Sequence, residues 1–258
     1  MKIIQVLTLL LLCLDFQSVN ANSTYVWGDT LHVWATSGLN MREGPGTDFP
    51  KMKKLEYGDK VQVIDNYLRS TPLSLTIIKK SKTSDSFVIN GHWVRVIIDS
   101  QEGYVFDGYL SQMPTLKIVK IEDDDSFTWR SESMYDYVKR EIGFAERNTD
   151  TVNNDEAIKE TYSAKKWISF SSLSNNCYEA TTEFHNLSLR EVYLFMNVLH
   201  HFEEIRKLQK IDPDRHDWQL RKVEKKKGKT IFNFSEELWQ GDLYEQDGKI
   251  IFSEGACC

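Results

Sequence analysis

The stretch Gly38–Asp65, GLNMREGPGTDFPKMKKLEYGDKVQVID, decides the fold of the first half of the chain. Apolar and polar residues alternate over Leu39–Arg42, as in a strand with one buried face. The following Glu43-Gly44-Pro45-Gly46 is turn chemistry, because glycine tolerates positive φ and proline fixes its own. A second glycine turn at residues 57–59 precedes the apolar positions Val61–Ile64. Short strands separated by glycine turns predict a small β-barrel.

Further strands are predicted on both sides of this stretch. Alternation begins at Leu31 and runs to Ala35, and Trp93–Ile98 is rich in β-branched and aromatic residues. Residues 99–103 have turn composition, Tyr104–Phe106 forms a last strand, and Asp107–Leu110 closes as a turn. The barrel is therefore expected to span residues 31–111.

Four short segments occur in a characteristic order: Leu39–Gly46, Gly58–Val61, Asn90–Val96 and Gly103–Leu110. Together they resemble the bacterial SH3 domain (SH3b), with its Leu-Asn-x-Arg-x-Gly-Pro-Gly start and its Gly-Tyr-Val-x-x-x-Tyr-Leu end. The resemblance implies binding rather than catalysis. Domains of this family are commonly part of exported bacterial proteins and often contact peptidoglycan or its peptides.

One departure from that family is an insertion at residues 66–89. Family members usually join the two flanking strands by a short connection, whereas this chain carries NYLRSTPLSLTIIKKSKTSDSFVI. Residues 73–78 are strand-like and Lys79–Ser86 has the composition of an exposed turn. The insertion is predicted to be a hairpin or an extended loop, and long loops of this kind are often functional.

The resemblance also implies a ligand-binding groove of aromatic faces. Aromatic rings supply rigid contact area at a low cost in conformational entropy. The alternative for each ring is packing in the barrel core or at a strand end. The candidate ligand-binding residues are Phe49, Tyr57, Trp93, Tyr104 and Tyr109.

The first 21 residues predict a signal peptide. Lys2 is a short positive region, Ile3–Leu14 is apolar but too short to span a bilayer stably, and Val19-Asn20-Ala21 fits a peptidase site. Cleavage is expected after Ala21, leaving no transmembrane helix in the mature chain. A retained anchor and a lipoprotein modified at Cys13 are the alternatives. The expected destination is the periplasm, the cell surface or the medium.

Residues 116–258 predict a separate α+β domain with no recognised family. One helix is expected from Met134 to Ile142, capped by Ser131 or Ser133, and residues 145–156 are polar enough to predict a loop. Ser188 and Glu191 form a capping box for a longer helix that is expected to run to Leu208. Strand patterns at 166–170, 177–184 and in four segments after residue 218 predict an antiparallel meander behind that helix.

Three cysteines follow the predicted leader: Cys177, Cys257 and Cys258. An exported protein meets a compartment in which disulfides persist. A bridge from Cys177 to one of the terminal pair would close a loop of about 80 residues, worth roughly 4 kcal/mol in the chain-entropy model. Three free thiols are the alternative.

The chain offers little support for catalysis or nucleic-acid binding. Its net charge is −6 and no basic tract dominates, which argues against nucleic acid as a partner. His185 lies eight residues after Cys177, about 25 Å away along an extended strand, too far for a cysteine–histidine pair. The cluster His200–Glu204 lacks the further ligands that zinc requires.

These observations predict a non-catalytic exported bacterial envelope protein with no cofactor and no metal. Its SH3b-like domain is expected to bind cell-wall peptide or an envelope protein. The alternative is a cell-wall-acting hydrolase that uses Cys177 or a metal held by the His200–Glu204 cluster.

Overall fold

A computed structural model describes most of the chain. The described residues are 25–65, 73–79, 86–121, 129–141, 146–152, 157–164, 168–174, 177–201, 219–226, 229–235 and 239–257. The predicted leader therefore lies outside the described residues. The fold is mainly antiparallel β-sheet with few helices, which confirms the predicted β-rich α+β class.

The first half forms a seven-stranded antiparallel sheet, called the barrel sheet below, in the order β3-β2-β8-β7-β4-β1-β9. Its strands are β1 (Thr30–Val33), β2 (Leu39–Arg42), β3 (Lys51–Leu55), β4 (Lys60–Asp65), β7 (Trp93–Ile98), β8 (Gln101–Phe106) and β9 (Leu110–Ser111). Leu55 and Leu110, from strands at opposite edges, are both fully buried in one hydrophobic cluster. A single sheet whose edges share a core must be strongly curved, as the barrel prediction requires.

The predicted alternation explains which side chains enter this core. Met41 of β2 and both Val61 and Val63 of β4 are fully buried, whereas their neighbours along each strand are not. Gly58 has φ of +90°, and its amide donates to the carbonyl of Val33, so the turn before β4 needs the residue that tolerates this conformation. Local turn chemistry thus sets the register of the strands around the core.

The insertion contains a β-hairpin formed by β5 (Leu73–Lys79) and β6 (Ser86–Gly91). The structure thus supports the hairpin rather than the extended loop. Residues 66–72 and 80–85, including most of the predicted turn, lie outside the described residues. Among the residues of the hairpin whose burial is described, Ile89 and Gly91 at the end of β6 are buried.

The chain then forms a small ladder and a short helix. β10 (Ile118–Lys120) pairs with β11 (Trp129–Ser131), and α1 (Met134–Glu141) follows. Ser133 rather than Ser131 caps the helix, because its hydroxyl oxygen accepts from the amide of Asp136 at 3.1 Å. Ser131 instead belongs to β11.

The second half forms an eight-stranded antiparallel sheet in the order β12-β13-β14-β15-β19-β18-β17-β16. Its strands are β12 (Glu146–Val152), β13 (Ala157–Ala164), β14 (Ile168–Ser174), β15 (Cys177–His185), β16 (Gln219–Lys226), β17 (Lys229–Ser235), β18 (Trp239–Gln246) and β19 (Lys249–Cys257). The predicted loop over residues 145–156 is wrong, because β12 occupies most of it. β12 is an edge strand of this sheet, and edge strands commonly carry polar and charged residues.

The helix α2 (Leu189–Leu199) connects the two halves of this sheet and begins with the predicted capping box. Ser188 Oγ accepts from the amide of Glu191 at 3.3 Å, and Glu191 Oε2 accepts from the amide of Ser188 at 3.0 Å. The helix ends earlier than expected, because His201 has φ of +55°, which a right-handed helix cannot continue. Residues 202–218 lie outside the described residues.

One hydrophobic core runs from the barrel sheet through α2 to the eight-stranded sheet. Phe195 of α2 marks the junction. Its ring centroid lies 5.8 Å from that of Trp34, 5.1 Å from Tyr137 and 5.7 Å from Phe184. Such offset and edge contacts between rings add to the free energy gained by burying their area.

Candidate functional site

A cleft of about 260 Å³ opens on the barrel sheet and is called the aromatic cleft below. Its walls combine rings with hydrogen-bonding groups, the composition that small-ligand sites usually have. The aromatic members are Trp34, Trp93, Phe106 and Tyr109, and the polar members include Asn40, Arg42 and Thr47.

The aromatic wall follows from strand register. Trp93 is the first residue of β7 and stands directly opposite Phe106 in β8, with ring centroids 6.4 Å apart. The ring of Tyr109 meets Phe106 edge-on at 6.2 Å. Trp93 is only 7 % exposed, so it supports the wall, and part of its surface lines the cleft.

A 3₁₀ turn, Asp107–Tyr109, positions Tyr109. A Cβ atom at Gly108 would lie 2.1 Å from the ring of Phe106, so the turn can approach that ring only with glycine there. Asp107 Oδ1 accepts from the amide of His92 at 2.6 Å, which ties the turn to the start of β7. Burial raises the pKa of Asp107, and the neighbouring Arg190 opposes that shift.

Arg190, at the start of α2, contacts this turn. Its guanidinium donates to the carbonyls of Asp107 and Leu110 and to the hydroxyl of Tyr25. One residue later, Glu191 is 1 % exposed and accepts from the hydroxyl of Ser111 at 2.8 Å. The helix of the second half therefore satisfies polar groups of the turn that carries Tyr109.

Arg42 supplies the cationic group of the cleft. It ends β2, directly opposite Tyr104 of β8, and Arg42 Nη1 donates to the carbonyl of Phe49 at 2.5 Å. A guanidinium carries five N–H donors and stays charged in proteins, so this contact leaves donors for a ligand. Arg42 holds the turn after β2 and also faces the cleft.

The structure brings together two of the five sequence-predicted aromatic residues, Trp93 and Tyr109, at the cleft. Tyr57 instead contacts residues 112–117, which join β9 to β10 and are called the linker below. Its hydroxyl donates to the carbonyl of Leu116 at 3.0 Å, and burial raises its pKa. Phe49 is 44 % exposed with its ring over Gly44. The half-buried Tyr104 packs against the core.

The cleft residues that sequence reasoning missed include Trp34, Phe106 and Arg42. Phe106 had a usable signal, because antiparallel pairing of the two strands flanking the turn at residues 99–100 places it opposite Trp93. Arg42 belongs to the Leu-Asn-x-Arg segment that carried the resemblance. Trp34 lies outside the alternation, and its Nε1 donates to the carbonyl of Met113 at 3.0 Å.

The two possible catalytic centres gain no support from the geometry. Cys177 and His185 are the first and last residues of the nine-residue strand β15. His185 Nε2 instead lies 3.1 Å from Ser169 Oγ. His200 packs against the ring of Phe252, and burial lowers the pKa of His200 to about 4, while the ring of His201 packs against Trp129.

Glu203 and Glu204 of the predicted metal cluster lie outside the described residues. Within the described part of the chain, no three His, Cys, Asp or Glu residues are grouped to hold a metal ion. Likewise, no described helix is long and apolar enough to cross a membrane.

Residues 37–111 match the family model of the bacterial SH3 domain. This match confirms the resemblance seen in the sequence, and it covers nearly all of the aromatic cleft, from Ser37 to Tyr109. No curated protein and no solved structure matches the chain. A bacterial SH3 domain indicates a binding role for this part of the protein.

Proposed function

We propose that the protein is a non-catalytic, exported envelope protein whose bacterial SH3 domain binds cell-wall peptide in the aromatic cleft. The observation that supports this proposal most is the pairing of an aromatic wall with Arg42 in one cleft. Rings offer flat apolar contact area to the peptide stem, and a guanidinium recognises a carboxylate through paired hydrogen bonds. Cell-wall peptides carry both kinds of group.

Cosedimentation with purified peptidoglycan sacculi tests this proposal. Tyr109→Ala and Arg42→Gln should each weaken binding about tenfold, the loss expected for removing a central contact worth ~1.4 kcal/mol. Trp93→Ala should weaken it as well, provided that circular dichroism shows a folded protein. Trp27→Ala is the matched control, because Trp27 is 76 % exposed on the same half and does not line the cleft.

Two results would contradict the proposal. One is a folded, intact protein that does not sediment with sacculi. The other is equal binding by the wild type, Tyr109→Ala and Arg42→Gln. Export itself is tested by fractionating cells and determining the N-terminus of the mature chain, which we expect to begin after Ala21.

A protein partner is the second candidate, favoured by the inserted hairpin. β5 pairs only with β6 among the described strands, which leaves its other edge available for an added strand. Deleting residues 73–87 and joining the ends with a short glycine–serine linker keeps the buried Ile89. This deletion should abolish capture of an envelope protein but leave sedimentation with sacculi intact. Capture that is unchanged would contradict this role.

A further inference from the structure

The eight-stranded sheet consists of two meanders of four strands each, β12–β15 and β16–β19. Its strand order joins them at one place, where β15 pairs with β19. This seam has nine residue pairs, from Cys177↔Cys257 at one end to His185↔Lys249 at the other. The cohesion of the sheet across its middle therefore depends on one ladder.

The register places two cysteines directly opposite each other at one end of the seam. Directly opposed residues in antiparallel strands have Cα atoms about 4.5 or 5.5 Å apart, according to the type of pair. Both separations lie within the range of about 4.4–6.8 Å that disulfides span. Opposed residues also project from the same face of a sheet, which is the second requirement for a bridge.

The same register distinguishes Cys257 from Cys258. Among the described residues, Cys257 occupies the register position opposite Cys177. Cys258 lies outside the described residues. The sequence alone left a choice between these two partners and a set of free thiols.

We infer that Cys177 and Cys257 form a disulfide that closes the seam between the two meanders. In its formation the two thiols lose two protons and two electrons and form one S–S bond. The oxidant is a second disulfide, either in a thiol oxidoreductase of the exported compartment or in oxidised glutathione in vitro. That disulfide accepts the electrons and protons and leaves as two thiols.

Thiol counting in defined glutathione buffers tests this bond. The full chain carries Cys13→Ser, which removes the thiol of the predicted leader, and is compared with the further variants Cys177→Ser, Cys257→Ser and Cys258→Ser. After an acid quench and alkylation under denaturing conditions, the parent should carry one alkyl group and Cys258→Ser none, whereas the fully reduced chains carry three and two. Cys177→Ser and Cys257→Ser should need at least about tenfold more oxidised glutathione to form any bridge.

The measurement can overturn the inference in two ways. If the parent chain keeps three alkylatable thiols while it is folded under oxidising conditions, the inferred disulfide does not form. A Cys257→Ser variant that bridges as readily as the parent would identify Cys258 as the partner of Cys177, and a Cys177→Ser variant that does so would identify a bridge between Cys257 and Cys258. Circular dichroism on each variant shows whether a missing bond only reflects a chain that has not folded.

Hydrogen exchange supplies a second measurement that does not depend on mutation. Reducing the parent should speed amide exchange most at the Cys177 end of β15 and β19, and less at the His185 end. The same treatment should leave exchange in Cys177→Ser unchanged, because that variant has no seam bond to lose. Uniform acceleration along both strands, or none, contradicts a bond located at this end.

Discussion

The barrel sheet and the eight-stranded sheet bury their apolar residues in different ways. The strands of the barrel sheet are two to six residues long, and the sheet curves around its own core. Strands of the other sheet have seven to nine residues. They bury Phe184, Ile250 and Phe252 in the cluster that also contains α2. A curved sheet largely encloses its own core, whereas a longer open sheet needs a covering element.

The covering helix belongs to both regions. Phe195 contacts Trp34 on the barrel side and Phe184 on the sheet side, so α2 packs against both cores at once. Arg190 and Glu191 add polar contacts to the turn that carries Tyr109 and to Ser111. A destabilising substitution in α2 should therefore lower the stability of both regions, whereas a substitution in the cleft should affect only the barrel sheet.

Phe195→Ala should have the largest effect. Removing a fully buried phenylalanine costs about 3–5 kcal/mol in the free energy of unfolding, because transfer free energy is lost and a cavity remains. Urea denaturation followed by tryptophan fluorescence and far-UV circular dichroism measures the change. Phe49→Ala, at an exposed position, is the control and should cost less than about 1 kcal/mol.

The shape of the urea unfolding transition tests whether α2 couples the barrel sheet to the eight-stranded sheet. If α2 couples the regions, both probes should shift to lower urea together in Phe195→Ala. Native-state hydrogen exchange that accelerates in the strands of the eight-stranded sheet of Phe195→Ala, but not in those of the barrel sheet, would show that the barrel sheet does not depend on the helix.

Glu254→Gln should remove a pH-dependent loss of stability that originates in the eight-stranded sheet. Burial raises the pKa of Glu254 to about 7, and the residue stands between Ala180 and Gly241 in the register. A carboxyl whose pKa is raised by folding favours the folded state below its unfolded pKa, and that contribution disappears as the pH rises through the folded pKa. Wild-type stability should thus fall by about 3 kcal/mol between pH 4.5 and pH 8 relative to the glutamine variant.

Glu183→Gln is the matched control in the same sheet, because its titration runs the other way. A hydrogen bond from Lys249 lowers the pKa of Glu183, so its contribution to stability is present above pH 4.5 and is lost as the pH falls. Plotted against pH, the stability difference from wild type should change in opposite senses for the two variants. Parallel curves would contradict the assignment of either group.

Ser188→Ala should have a smaller effect, confined to the start of α2. It removes the side-chain acceptor of the capping box and should cost about 1 kcal/mol in the free energy of unfolding. Ser188→Asp keeps an acceptor at the cap and is the control. Equal stability of the alanine variant and the wild type in urea denaturation would show that the cap does not contribute to the free energy of unfolding.

The difference between the regions also explains what could be predicted from the sequence. In the barrel sheet, alternation at Leu39–Arg42 and the turn at Gly58 act over a few residues, and such local signals are visible in a sequence. In the second half, β12 has no apolar alternation because it is an edge strand, and it was predicted as a loop. The end of α2 depends on His201, whose positive φ accompanies a ring contact with the distant Trp129.

The candidate site, too, could be predicted from the sequence only where local signals determine it. Trp93 and Tyr109 were predictable as aromatic residues of a recognisable motif, and the structure places both at the cleft. Composition could not separate them from Tyr57, because which end of the barrel sheet a ring occupies depends on the packing of the whole domain. Trp34 becomes visible as a cleft residue only when Phe195 and Met113 fix its ring from outside the matched segment.

Tyr57→Phe should have the smallest effect and tests whether the two ends of the barrel sheet are functionally separate. The change removes the hydroxyl, which donates to the carbonyl of Leu116 and also hydrogen-bonds with the side chain of Thr115, and should cost about 1 kcal/mol. The ring contact with Trp34, edge-on at 6.2 Å, is retained. Because Tyr57 does not line the aromatic cleft, sedimentation with sacculi should match the wild type, whereas Tyr109→Ala should lose about tenfold. Loss of binding in Tyr57→Phe, at unchanged stability, would place the binding surface at the linker end and remove the distinction drawn between these two tyrosines.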